Sequence, residues 1–120
     1  MATNPAFPRG AVLEFMIQRF GGLVSARQNV VTAGVAVVEL VGGNPERVSL
    51  TIQNLGTGEI FILPGPNPSA SNGIRLAASG GLISMSVLED GVLSAYGWSV
   101  LGTVAATPVQ VIEVIREAVV

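Results

Sequence analysis

The sequence predicts an all-β fold: one antiparallel β-sandwich, jelly-roll-like, with an extended N-terminal arm ahead of it. Three observations lead there. Residues 47–54, RVSLTIQN, place Val48, Leu50 and Ile52 on one side and Arg47, Ser49, Thr51 and Gln53 on the other. That alternation marks a strand with one buried face. Short apolar segments recur along the chain, divided by Gly, Pro and Asn at roughly the eight-to-twelve-residue spacing of a sandwich or barrel. No heptad or four-residue repeat competes with this pattern.

The elements follow in order. Residues 1–10 carry Pro5 and Pro8, which bias the preceding residues away from helix. Residues 11–20, AVLEFMIQRF, fit helical spacing through Val12, Phe15, Met16 and Arg19, and strand spacing through Leu13, Phe15 and Ile17. Both readings stand on so short a window. Gly21 and Gly22 end the segment. Residues 1–24 are therefore assigned to an arm and residues 25–120 to the sandwich. Phe7, Phe15, Met16 and Phe20 are apolar arm residues expected to touch a neighbouring subunit or a larger surface.

Residues 28–32 and 35–41 read as opening strands, and Gly42-Gly43-Asn44-Pro45 as a turn. Residues 47–54 and 59–63 read as the two arms of a central hairpin. Asn54, Gly56 and Gly58 would supply its turn through positive φ. Residues 64–73 contain Pro64, Pro66 and Pro68, which remove donors and fix φ. This irregular stretch is the largest candidate contact loop, with Asn67 among its prolines. A short strand at 74–76, a turn at 77–81 and a strand at 82–88 come next, the last opposing Ile83, Met85 and Val87 to Ser84 and Ser86. Glu89-Asp90-Gly91 reads as another turn. Tyr96, Trp98 and Val100 share a face of the following strand. Residues 103–108 form a loop, and residues 109–115 close the domain. That strand is apolar on both faces, as expected of one covered by sheet and by neighbour. Leu50, Ile52, Ile60, Tyr96 and Trp98 are the expected core or interface anchors.

Composition narrows the function. Charged residues are 12% of the 120 and hydrophobic residues 49%, against about 25% charged in ordinary soluble domains. No apolar run approaches the ~18 residues of a spanning helix, so burial against protein is favoured over a membrane. Pro5, Pro8 and Glu14 interrupt any secretory apolar region. The net charge of −2 argues against a nucleic-acid partner. All six cations are Arg, and Lys is absent; Arg suits fixed bidentate pairs. Arg47 and Arg75 are expected to pair with Glu46, Glu59 or Glu89 as exposed salt bridges.

Catalysis finds little support. The chain has no His, Cys or Lys, which removes the usual general base, thiol nucleophile and Schiff-base amine. Glu89 and Asp90 read as a solvated turn rather than a metal clamp. Gly56-Thr57-Gly58 and Gly80-Gly81 lack the setting of a phosphate loop. No catalytic residue, cofactor or metal is expected. Tyr96 and Trp98 have faces on which a sugar could stack, but their alternation with Gly97 and Ser99 favours anchors.

The order of RVSLTIQN, a Gly-rich turn, Ile60-Phe61-Ile62, a Ser/Asn/Gly loop, Gly73-Ile74-Arg75-Leu76, Ala78-Ser79-Gly80-Gly81, the Tyr96/Trp98 strand and a final apolar strand resembles tailed-bacteriophage capsid decoration (cement) proteins. The likeness spans residues 28–117 and is a fold-keeping pattern without a catalytic signature. It implies a non-enzymatic virion protein on the outer capsid surface, a homotrimer that grips the major capsid protein and stabilises the shell. Related β-modules in tails, fibres and baseplates, some with sugar-binding roles, are the alternative.

Overall fold

The computed structural model describes residues 14, 15, 18, 19 and 22–117. Its strands are β1 (Leu23–Ala33), β2 (Val38–Val41), β3 (Arg47–Asn54), β4 (Ile60–Pro64), β5 (Ile74–Leu76), β6 (Leu82–Ser86), β7 (Trp98–Gly102) and β8 (Thr107–Glu117). A one-turn helix, α1 (Val87–Asp90), and a 3-10 turn (Gly91–Ala95) join β6 to β7. The strands form two four-stranded antiparallel sheets, ordered β1-β8-β3-β6 and β2-β7-β4-β5. That interleaving is the strand order of an eight-stranded jelly roll. The all-β sandwich expected from the sequence is the fold.

The core lies between the sheets. Leu50 and Ile52 of β3, Ile60 and Ile62 of β4, Val100 of β7 and Val109 of β8 are fully buried there, with Trp98 at 2% exposure. These positions alternate along each strand, so the period-two pattern located them.

Several expectations are corrected. Residues 47–63 are not a hairpin: β3 and β4 belong to different sheets. The link between them is a corner, held by Asn54. Its Nδ2 donates to the Gly58 and Leu76 carbonyls (2.7 and 3.3 Å), and its Oδ1 accepts from the Gly56 amide at 3.0 Å. Gly56 and Gly58 are required for close approach rather than for positive φ. A Cβ on Gly56 would stand 2.6 Å from Thr107 Cγ2, and one on Gly58 2.5 Å from Val104 Cγ2.

β1 is longer than residues 28–32, and begins at Leu23, paired with Glu117. Leu23 and Val24 are thus sandwich residues, not arm. The pattern was hidden because only the Val31–Ala33 end of β1 covers the core, while the inward-facing Arg27 and Asn29 lie at an open edge. β2 is shorter than residues 35–41; Val35 and Val37 are exposed ahead of it. Glu89-Asp90 belongs to α1 and its end rather than to a hairpin turn. Ser86 caps the helix, its Oγ accepting from the Glu89 amide, while Asp90 Oδ2 accepts from the Ser86 amide at 2.9 Å. This reciprocal arrangement resembles a capping box, and Ser86-Val87-Leu88-Glu89 carried its sequence signature. Within the arm, Glu14, Phe15, Gln18 and Arg19 are helical, so the helical spacing holds for the described part. Phe7, Met16 and Phe20 lie outside the described residues.

Candidate functional site

Arg47 opens β3 and was expected on its wet face. It is instead 2% exposed. A bulge explains the reversal: Arg47 stands opposite Ile115 while Ser49 stands opposite Val114. The extra residue on β3 turns Arg47 inward, as bulges re-aim side chains. Inside, the guanidinium pairs with Glu113 on β8, through Nε (3.0 Å) and Nη2 (2.6 Å) to Oε1. Nη2 also donates to the Gly42 carbonyl at 2.6 Å. Nη1 donates to the Ser94 and Tyr96 carbonyls at 3.3 and 3.0 Å. A planar fork with five N–H donors can serve these acceptors together, which an ammonium cannot. Among the described residues, Arg75–Glu59 and Arg116–Glu46 are the other ion pairs.

Two of the carbonyls that Arg47 holds, those of Gly42 and Tyr96, belong to the walls of a cleft of about 570 Å³. Glu39, Val41, Gly42 and Gly43 come from β2 and its end, Pro64, Gly65 and Pro66 from the end of β4, and residues 96–99 from the approach to β7 and its first two residues. Further bonds tie these walls together: Asn44 N donates to Ala95 O and Gly65 N to Gly97 O, both at 2.9 Å. Gly97 is needed because the walls come close; a Cβ there would lie 3.1 Å from Gly43 N and 3.3 Å from Val41 O. The cleft is preorganised, with backbone polar groups bonded to each other and Tyr96 and Pro66 left exposed.

Two aromatics divide the work. Trp98 is buried, its Nε1 donating to Leu93 O at 3.2 Å. Tyr96 is 48% exposed and precedes β7, because the 3-10 turn ends on it. It therefore does not share the inward face of Trp98 and Val100. Glu39 is exposed at the rim. The three ion pairs among the described residues occupy Glu46, Glu59 and Glu113, and Glu39 stands outside them. Of the residues expected to matter, Pro64, Pro66, Tyr96 and Trp98 meet in this cleft. Asn67 is exposed at the loop tip with φ 67°, and Pro68 is buried; neither lines it. Leu50, Ile52 and Ile60 lie in the core, and Phe15 is exposed. Glu39, Gly42, Gly43 and Arg47 were missed as site residues. The Gly pair was visible, but only as a turn.

A second surface is notable for its lack of charge. Val24, Ala26, Gln28, Val30 and Thr32 of β1 face outward beside Pro108, Gln110, Ile112, Val114 and Arg116 of β8. Ser49, Thr51 and Gln53 continue this face on β3, and Leu82, Ser84 and Ser86 on β6. Arg116 is the one charge on these strand positions, and it is paired with Glu46 just ahead of β3; Val30 and Leu82 are more than half exposed.

No protein-family model matches the sequence, and no curated protein matches it. Among solved structures, the chain is similar to one described in work titled "Bacillus endospore appendages form a novel family of disulfide-linked pili". The two share 20% identity with a TM-score of 0.52, over 82% of this chain and 88% of that one. At this identity the likeness extends to the fold, a β-sandwich also used by a structural appendage.

Proposed function

We propose that the chain is a non-enzymatic structural subunit that works in many copies, packed against itself and against a larger particle. The observation that carries this reading is the outer face of the β1-β8-β3-β6 sheet, whose strand positions carry no charge but Arg116, itself neutralised by Glu46. Soluble surfaces are ordinarily about 25–35% charged, and broad apolar or neutral faces mark contacts. The specific form that the sequence resemblance favours is a phage capsid decoration protein, trimeric and seated on the outside of the shell. The jelly-roll strand order agrees with that class of role. So does the setting of the fold neighbour in disulfide-linked pili, although this chain has no Cys with which to form such a disulfide.

The test is direct. Purified protein is sedimented from micromolar to millimolar concentration and mixed with capsids that lack it. Association into multiples of the chain, and uptake at symmetry-related positions, are the expected results. A protein that stays monomeric and ignores the particle overturns the proposal. A tail, fibre or baseplate module is the second reading, favoured by the exposed ring of Tyr96 over the cleft. Glycan binding that disappears in Tyr96→Ala would select it.

A further inference from the structure

Resting on the assembly reading above, we infer that the cleft beside Tyr96 is the acceptor for residues 5–9 of a neighbouring copy. The cleft has the chemistry of a polyproline receptor. An exposed tyrosine, prolines from the adjoining end of β4 and a buried tryptophan line it, and an exposed carboxylate, Glu39, stands outside the ion pairs of the described residues. Aromatic-lined grooves of this type take Pro-x-x-Pro segments, because such segments are already extended and lose little entropy on docking.

The chain contains one fitting segment. Pro5-Ala6-Phe7-Pro8-Arg9 is a Pro-x-x-Pro sequence followed at once by a cation. With three residues per polyproline turn, Pro5 and Pro8 fall on one edge. Phe7 is then free to serve as the apolar anchor and Arg9 to reach Glu39. Charge complementarity picks this occupant over a neutral sugar, which would leave the carboxylate without a counter-ion.

A second copy as the source follows from the assembly reading, and the mixing experiment below distinguishes it from the chain's own segment. Arg19 lies in a separate recess with Pro45, Glu46, Val48 and Val87, which shares no residue with the cleft. The rigidity of the receptor comes from Arg47, which clamps both walls from behind while remaining out of reach of the ligand.

The experiment uses the full-length chain and sedimentation equilibrium. Arg9→Glu and Glu39→Arg should each weaken self-association about tenfold or more, as expected for a close interfacial charge pair. Phe7→Ala should act similarly, as loss of a buried aromatic anchor. Melting temperatures should stay at the wild-type value. An equimolar mixture of the Arg9→Glu and Glu39→Arg proteins should recover association, because each arm then finds an opposite charge in the other copy. Variants that associate as the wild type does would overturn the cleft as acceptor and leave the assembly reading intact. Weakening without recovery in the mixture would overturn the neighbouring copy as the source. A wild-type protein that is monomeric throughout would remove both readings.

Discussion

Arg47 shows how one side chain can organise several loops. Its partners are a carboxylate and three backbone carbonyls, Gly42, Ser94 and Tyr96. Removing one member of a buried ion pair leaves the other uncompensated, at about 3–5 kcal/mol. Arg47→Ala should lose stability on that scale in urea titration. Arg47→Lys should recover little of it, since a point charge cannot address this fork-shaped set of acceptors. The two aromatics give a second contrast. Trp98→Ala should cost about 3–5 kcal/mol, as for other buried large aromatics. Tyr96→Ala should melt within about 0.5 kcal/mol of wild type, as exposed positions do, and its effect should be read in association instead. Equal losses for the two would mean that Tyr96 packs into the core.

At the scale of elements, the corners between sheets are more demanding than the strands. Gly56 lies against Thr107 Cγ2, Pro108 Cδ and Thr107 Cα, where an added methyl would meet atoms at 2.6, 3.1 and 3.3 Å. Gly56→Ala should destabilise by about 1–3 kcal/mol, the usual cost of forcing atoms into a packed site. Gly34→Ala is the control, since nothing lies within 4 Å of its Cβ position and its melting should be unchanged or slightly raised. α1 depends on its cap more than on its length. Ser86→Ala should cost about 1 kcal/mol, whereas Ser84→Ala, on the same outward face but capping nothing, should cost less. Thermal melts of the two variants side by side would decide it.

For the whole molecule, the question is which parts make the sandwich and which make contacts. The eight strands of the described residues lie between Leu23 and Glu117. Deleting residues 1–22 should therefore leave the β circular dichroism signal intact while weakening self-association. Deletion through residue 24 would also remove Leu23 and Val24 from the ladder with Glu117 and Arg116, and should lower the melting temperature further. Loss of β-structure in the shorter deletion would show that the N-terminal segment is part of the core. Val30→Asp should reduce association through the outer face of the β1-β8-β3-β6 sheet without changing the fold, because that residue is 54% exposed. Together with the cleft variants, it separates the two surfaces.

The sequence by itself determined the fold class and most of the core. Leu50, Ile52, Ile60 and Trp98 could be found because a strand's period of two is local, and a buried face shows in consecutive residues. The Gly42–Pro45 turn and the proline loop were legible for the same reason: backbone restriction acts at the residue that carries it. Tertiary structure alone decided which strands pair. A β3–β4 hairpin and a β3–β4 corner have the same alternation on either side of the same glycines, and only the approach of Thr107 and Val104 separates them. It also decided the site. A bulge opposite Val114 and Ile115 reversed Arg47, and the cleft drew its walls from three segments distant in sequence. Neither carries a local pattern, because each depends on which surfaces meet across the sandwich.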